Sequence, residues 1–257
     1  MRIAIVAHSN VAERQRLFWR ELSKHADVLV ISPERWINGL TTFSVKEGQY
    51  EVFATKIYFP DKITNPINEF WFGPETFLKL QEFKPDIIYN QQETYSLQSI
   101  ISQQWANQLM AKYVTFCWEN IKYPSEKERI YLNSCDLIIC GNNEAKEHYN
   151  GHIVMPQVGV DITTFHSNEI KEHDVVFLGR NDVAKGVKYI KEAYPETKFF
   201  HDLSYKDVPK LLSSTKIFVS FPYDTPYWKE QWASYANIEA MASGAVVITS
   251  DTNSIKE

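Results

Sequence analysis

Arg180, Lys185 and Glu239 are the residues of this chain whose types and order could do chemistry. Arg180 closes the run Phe177-Leu178-Gly179-Arg180, whose apolar character reads as a strand. A guanidinium at the carboxyl edge of a parallel sheet lies where open α/β folds take their ligands, and its planar fork matches phosphate oxygens. Lys185 adds a compact second charge, and Gly186 lets a helix begin beside it. Glu239 lies in Asn237-Ile238-Glu239-Ala240-Met241-Ala242-Ser243-Gly244, a helix former closed by glycine. Between the core-type neighbours Ile238 and Met241, a carboxylate is either half-buried or turned to a ligand, where it accepts hydrogen bonds from vicinal hydroxyls. Two cations and a diol acceptor together suit a nucleoside diphosphate. Each residue alone reads more readily as a surface charge, so the signal is in their combination.

The elements that position these residues follow from size and pattern. A chain of 257 residues makes one large domain or two of ordinary size. Its hydrophobic content of 44%, with 14% aromatic, supplies a packed core. A net charge of −5 and a pI near 5.8 argue against a broad nucleic-acid surface. Cys117, Cys135 and Cys140 form no CxxC pair, and two of them end apolar runs, which implies buried reduced thiols. Residues 1–7 are too short for a signal sequence, and no apolar stretch approaches the ~18 residues of a membrane span. A soluble, cytoplasmic protein is the expectation.

Apolar runs at residues 3–7, 28–31, 87–89, 113–117, 137–140 and 153–155 read as buried strands. Helix-like segments at 12–24, 97–109, 125–133 and 143–149 lie between them. This rhythm predicts βαβ units and a parallel sheet covered on both faces. The segment 41–58 adds a strand, followed by a Pro- and Trp-containing loop to Gly73. Residues 163–173 are polar and read as a linker, after which the βα rhythm restarts. The second unit is expected to hold strands at 175–178, 198–201, 217–221 and 246–249 and helices at 186–193, 206–213 and 232–242. After the first strand, Ala7-His8-Ser9-Asn10-Val11-Ala12-Glu13 contains no glycine. That disfavours an NAD dehydrogenase and a Walker-type NTPase, both of which need glycines where backbone approaches phosphate.

The ordered set Phe177-Leu178-Gly179-Arg180, Lys185-Gly186 and Glu239-Ala240-Met241-Ala242-Ser243-Gly244-Ala245-Val246-Val247 resembles the family-4 retaining glycosyltransferases of the GT-B fold. Val158-Gly159-Val160-Asp161 with Phe165 is similar to the segment by which that family leaves its N-terminal domain. The resemblance is strong over 158–251 and diffuse before it. It implies an α/β fold with two Rossmann-like domains facing across a cleft, the second one shortened. Residues 1–165 would be the acceptor domain and 172–257 the nucleotide-sugar donor domain, incomplete relative to the family. The implied reaction moves a sugar from a nucleoside-diphosphate donor to a hydroxyl of a glycan, lipid or small molecule, without cofactor or metal. By the same resemblance, Gly179, Arg180 and Lys185 hold the diphosphate and Glu239 takes the ribose. Backbone N–H groups of Trp232, Ala233, Ser234 and Tyr235 complete an anion nest.

The chain departs from that family in two places. The family carries two Glu residues separated by seven, and counting back from Glu239 gives Gln231, with Glu230 one residue early. On a continuous helix Gln231 would lie roughly 80° from Glu239, and Glu230 on the opposite face. Both remain candidates for the catalytic position. Relatives place a His after a middle strand, whereas here Val114-Thr115-Phe116-Cys117-Trp118 leads into Glu119 and Asn120, which become candidates for sugar or acceptor contact. His8, Ser9 and Asn10 end the first strand on a similar rim. A non-catalytic nucleotide-sugar-binding or scaffold protein is the alternative that Gln231 motivates. Arg14, Arg16, Arg20 and Lys24 beside Leu17, Phe18, Trp19 and Leu22 leave a peripheral membrane surface open as a partner, although packing on the sheet is the plainer reading. Apolar residues 246–248 near the chain end leave a second copy of the chain open as another.

Overall fold

In the computed structural model, the described residues are 1–155, 159–167, 170–231 and 234–256. Contacts divide the chain into two units, Met1–Gln157 and Val158–Glu257. The first unit is built on β1 (Arg2–Val6), β2 (Asp27–Pro33), β3 (Val45–Glu47), β4 (Tyr50–Thr55), β5 (Ile57–Tyr58), β6 (Trp71–Phe72), β7 (Ile87–Asn90), β8 (Lys112–Cys117), β9 (Leu137–Cys140) and β10 (Ile153–Val154). Its helices are α1 (Leu17–Leu22), α2 (Pro66–Glu69), α3 (Pro74–Phe83), α4 (Leu97–Leu109), α5 (Glu126–Asn133) and α6 (Asn143–Tyr149). Eight strands form one sheet in the order β10-β9-β8-β7-β1-β2-β4-β3, parallel except for the β3–β4 hairpin. Alternate residues feed two cores: Ala4, Val6, Leu29, Ile31 and Ile88 on one face, Ile3, Ile5, Val28, Val30 and Tyr89 on the other. Burial on both faces is what a parallel sheet demands, and it explains the continuous apolar runs. The chain runs from β1 outward through β2 and β4, then returns to β7 on the other side. The topological switch point of this sheet therefore lies at the carboxyl ends of β1 and β7.

The second unit contains β11 (His173–Leu178), α7 (Val187–Ala193), β12 (Lys198–Phe200), α8 (Val208–Ser213), β13 (Thr215–Ser220), α9 (Tyr235–Ala242), β14 (Val246–Thr249) and α10 (Asn253–Lys256). Its four parallel strands run β12-β11-β13-β14. Val176 and Phe218 pack on one face, and Phe177 with Val187 and Ile190 on the other. The switch point here falls between β11 and β13. β14 is an edge strand with Val246 and Ile248 both more than half exposed.

Three differences from the sequence reading have local causes. The helix expected at 12–24 is two 3-10 turns (His8–Val11 and Glu13–Arg16) before α1. Arg16 Nη1 donates to the carbonyls of Asn10 and Val11, and Asn10 Nδ2 donates to Ile31 O at 2.9 Å, so side chains hold the turns. Arg20 stacks over Tyr50 at 5.4 Å and Lys24 pairs with Glu21, so Arg16, Arg20 and Lys24 are all committed within the chain. Residues 74–83, to which the sequence reading assigns no element, form helix α3, with Pro74 at its first turn as Pro prefers. In the polar stretch 163–173, Phe165 is buried in the second core, which extends the second unit upstream of residue 172. All three cysteines are free thiols, and burial pushes Cys135 and Cys140 up to about 12. No helix among the described residues is long and apolar enough to cross a membrane.

Candidate functional site

In the second unit the chain leaves β11 at Leu178 and crosses the switch point. The N–H of Gly179 donates to Phe200 O at 3.0 Å, and His201 Nδ1 lies 2.9 Å from Gly179 O, so the turn before Arg180 is fastened on both sides. Arg180 itself is exposed and has no hydrogen-bond or ion-pair partner among the described residues. Asp182 then accepts from the Ala184 N–H at 3.0 Å and starts a 3-10 turn, Val183–Lys185, that carries Lys185 inward. Gly186 ends the turn at φ +67, and a Cβ there would stand 2.1 Å from the carbonyl oxygen of Phe221, just past β13. Only glycine permits this approach of α7 to the β13 end.

Lys185 meets Glu230. Its Nζ donates to Glu230 Oε2 at 2.8 Å and lies 4.7 Å from the centre of the Trp228 ring. Glu230 is 6% exposed, whereas Gln231 is half-buried. Of the two residues that the sequence leaves open, Glu230 is thus the one turned to the candidate phosphate-binding lysine. Glu239 lies on α9 at 4% exposure, and its Oε1 accepts from Tyr205 Oη at 3.0 Å. The hydroxyl provides the donor that a buried carboxylate requires. Ser234 stands before α9 at φ 66, ψ 132, a strained backbone for a non-glycine residue, and Tyr235 opens the helix. Trp232 and Ala233, with Val158 upstream, lie outside the described residues.

In the first unit the structure brings His8 to the β1–β7 switch point. His8 Nδ1 lies 2.8 Å from Gln92 Oε1, and its ring packs 4.8 Å from Trp36 and 6.0 Å from Phe70. Burial lowers its pKa, which the Gln92 bond only partly offsets, so the imidazole is neutral. Ser9 and Asn10 form the turn after His8; Asn10 is fully buried and structural. Glu119 Oε1 accepts from the N–H groups of Ile121 and Lys122 at 2.8 and 3.1 Å, and Asn120 Nδ2 donates to Glu144 Oε2 at 3.1 Å. Both therefore shape the loop after β8.

Sequence reasoning missed Glu93. It follows β7 as His8 follows β1, and that strand-end position was its available signal. Burial, then Glu119 and Glu128, raise its pKa to about 7. An acid whose folded pKa lies above its unfolded value of about 4.5 contributes stability that is full below pH 4.5 and is lost as pH rises through 7. Relative to Glu93→Gln, the wild type should therefore lose up to about 3 kcal/mol of unfolding free energy between pH 4.5 and 8. Denaturant unfolding of both proteins across that range checks this, and a pH-independent difference would contradict it.

No protein-family model and no curated protein matches this chain. Solved structures do. HepE of Anabaena, crystallised with UDP and glucose, matches over 99% of this chain and 82% of its own, with a TM-score of 0.61 at 12% identity. Sucrose-phosphate synthase from Thermosynechococcus elongatus matches over 98% and 81%, at TM-score 0.62 and 14% identity. A glycosyltransferase from Rickettsia africae matches over 98% and 79%, at TM-score 0.60 and 14% identity. At such identities the likeness is one of fold, and that fold is the GT-B fold of glycosyltransferases, with a Rossmann-like sheet in each of two units.

Proposed function

We propose that this chain is a retaining glycosyltransferase that moves a sugar from a nucleoside-diphosphate donor to a hydroxyl acceptor. The observation that carries the proposal is the Lys185–Glu230 pair in the second unit, with Arg180 just past the end of β11 unpartnered among the described residues and Glu239 buried on α9. Arg180 and Lys185 take the diphosphate oxygens, and Glu239 takes the ribose hydroxyls in place of the Tyr205 hydroxyl. Ser234 and Tyr235 offer main-chain N–H groups at the start of α9. In the reaction the bond between the anomeric carbon and the phosphate oxygen breaks, while a bond to the acceptor oxygen forms on the same face. The acceptor proton passes to the departing phosphate, whose charge Arg180 and Lys185 neutralise. Glu230, released from Lys185 by the incoming phosphate, stabilises positive character at the anomeric carbon.

This exchange makes Glu230→Gln diagnostic. Without the competing carboxylate, UDP should bind severalfold tighter while sugar transfer falls by about 100-fold, the loss expected when one transition-state charge is removed. UDP is the first probe because HepE was crystallised with it. The reaction itself is tested by incubating the protein with UDP-glucose and a panel of sugars and alcohols, and reading products by NMR. The expected product keeps the donor's α configuration and is absent with Arg180→Ala. A β-linked product contradicts retention; nucleotide binding without turnover across donors favours the scaffold alternative.

A further inference from the structure

Three carboxyl groups meet at the carboxyl edge of the first sheet, and they are held differently. Glu119 is pinned by two backbone N–H groups. Glu128 Oε2 accepts from the N–H and hydroxyl of Ser125, both at 2.8 Å, and its Oε1 accepts from Thr94 Oγ1 at 2.9 Å. Such donors stabilise ionised carboxylates. The carboxyl group of Glu93 receives none among the described residues; only its main-chain carbonyl is bonded, by Ser96 N–H and Ser99 Oγ. The other groups facing it are Tyr95 on its own loop, Cys117 on β8 and Tyr149 on α6, all with raised pKa values and therefore neutral. Among the described residues no cation contributes to its environment.

A second observation marks the same edge. Gln92, next in sequence, is 3% exposed; its Oε1 is taken by His8, and its Nε2 has no partner among the described residues. The His8–Gln92 bond spans the ends of β1 and β7, which is the crevice where an open parallel sheet binds its ligand. An amide nitrogen without a partner among the described residues, a neutral imidazole packed against Trp36 and Phe70, and a carboxyl group without a donor thus share one switch point. Amide and carboxyl groups pair with sugar hydroxyls, and an aromatic flank covers a sugar face. The carboxylates, with no cation among them, repel a phosphate or carboxylate.

We propose that Glu93 is a specificity-determining residue that takes a hydroxyl of a sugar acceptor bearing no negative charge, at the β1–β7 switch point beside His8 and Gln92. The inference rests on the glycosyltransferase reading above. The test is carboxyl NMR of the full chain labelled with 13C-glutamate, titrated with pH alone and with glucose, glucosamine or glucose 6-phosphate. The Glu93 signal is the one lost in Glu93→Gln, or altered in Glu93→Asp should the first variant fail to fold. Glucose is expected to move its midpoint by about half a pH unit or more, and glucosamine to lower it further by its charge; glucose 6-phosphate should leave it unmoved. A midpoint indifferent to every sugar, or one that glucose 6-phosphate moves as strongly as glucose, overturns the proposal. UDP calorimetry on the same wild-type sample reports the donor unit separately. UDP binding with an indifferent midpoint refutes only the role of Glu93, whereas absence of UDP binding refutes the functional reading beneath it.

Discussion

Lys185→Ala should abolish measurable sugar transfer and destabilise the second unit at the same time. Glu230 is left buried without its counter-ion, and breaking a buried pair from one side costs about 3–5 kcal/mol. Lys185 is 20% exposed on its side chain, so water reaches the pair and the cost lies toward the low end of that range. The donor loses a charge-assisted bond to its phosphates, worth about 1.5–3 kcal/mol, or roughly 10- to 150-fold in UDP affinity. The two losses separate in the double variant. Adding Glu230→Gln to Lys185→Ala removes the stranded charge and should recover most of the stability without recovering UDP affinity. Thermal unfolding and calorimetry on the three variants check this; equal UDP affinity in Lys185→Ala and wild type would remove Lys185 from the donor grip.

Gly186→Ala should be the most destabilising alanine substitution of a glycine near this site. At φ +67 a side chain costs about 1–2 kcal/mol in backbone strain alone. The new Cβ would also meet the Phe221 carbonyl oxygen at 2.1 Å and Phe221 Cβ at 3.0 Å. The oxygen belongs to main chain at the end of β13, so relief requires moving the strand end or the turn that carries Lys185. A total of about 3 kcal/mol or more is expected, lowering Tm by about 10 °C or more. Gly48 supplies the comparison: its φ is +61, but nothing stands within 4 Å of its Cβ position. Gly48→Ala should therefore cost only the backbone strain, about 1–2 kcal/mol. Equal losses at the two glycines would show that the Phe221 contact is not rigid.

What the sequence revealed follows from how far apart the interacting residues lie. The parallel strands of the two larger sheets, α4 and α6 were readable because each is set by a run of its own residues, whereas the short antiparallel β3, β5 and β6 were not; Ser125 with Glu128 forms the capping box that opens α5. Arg180, Lys185 and Glu239 were readable as chemistry because strand ends and helix registers place them. The pairing of Glu230 with Lys185 was not, since it joins residues 45 positions apart and helical geometry does not apply before α9 begins. Phe165 was hidden for the opposite reason. Its polar stretch holds only one other apolar residue, Ile170, and two such residues leave no periodicity to detect. Glu93 offered only its strand-end position as a signal, because its character comes from what surrounds it, two pinned carboxylates and no donor, rather than from its own neighbours in sequence.

The central claim is that the second unit grips a nucleoside diphosphate through Arg180, Lys185 and Glu239. Calorimetric titration of UDP, GDP and ADP into the full chain, its Arg180→Ala variant and its Glu239→Ala variant tests it most directly. One nucleotide should bind the wild type at a single site, about tenfold or more weaker in each variant, consistent with the loss of one hydrogen bond to a charged group. A folded wild-type protein that binds none of the three, or binds one with undiminished affinity in both variants, would contradict the account.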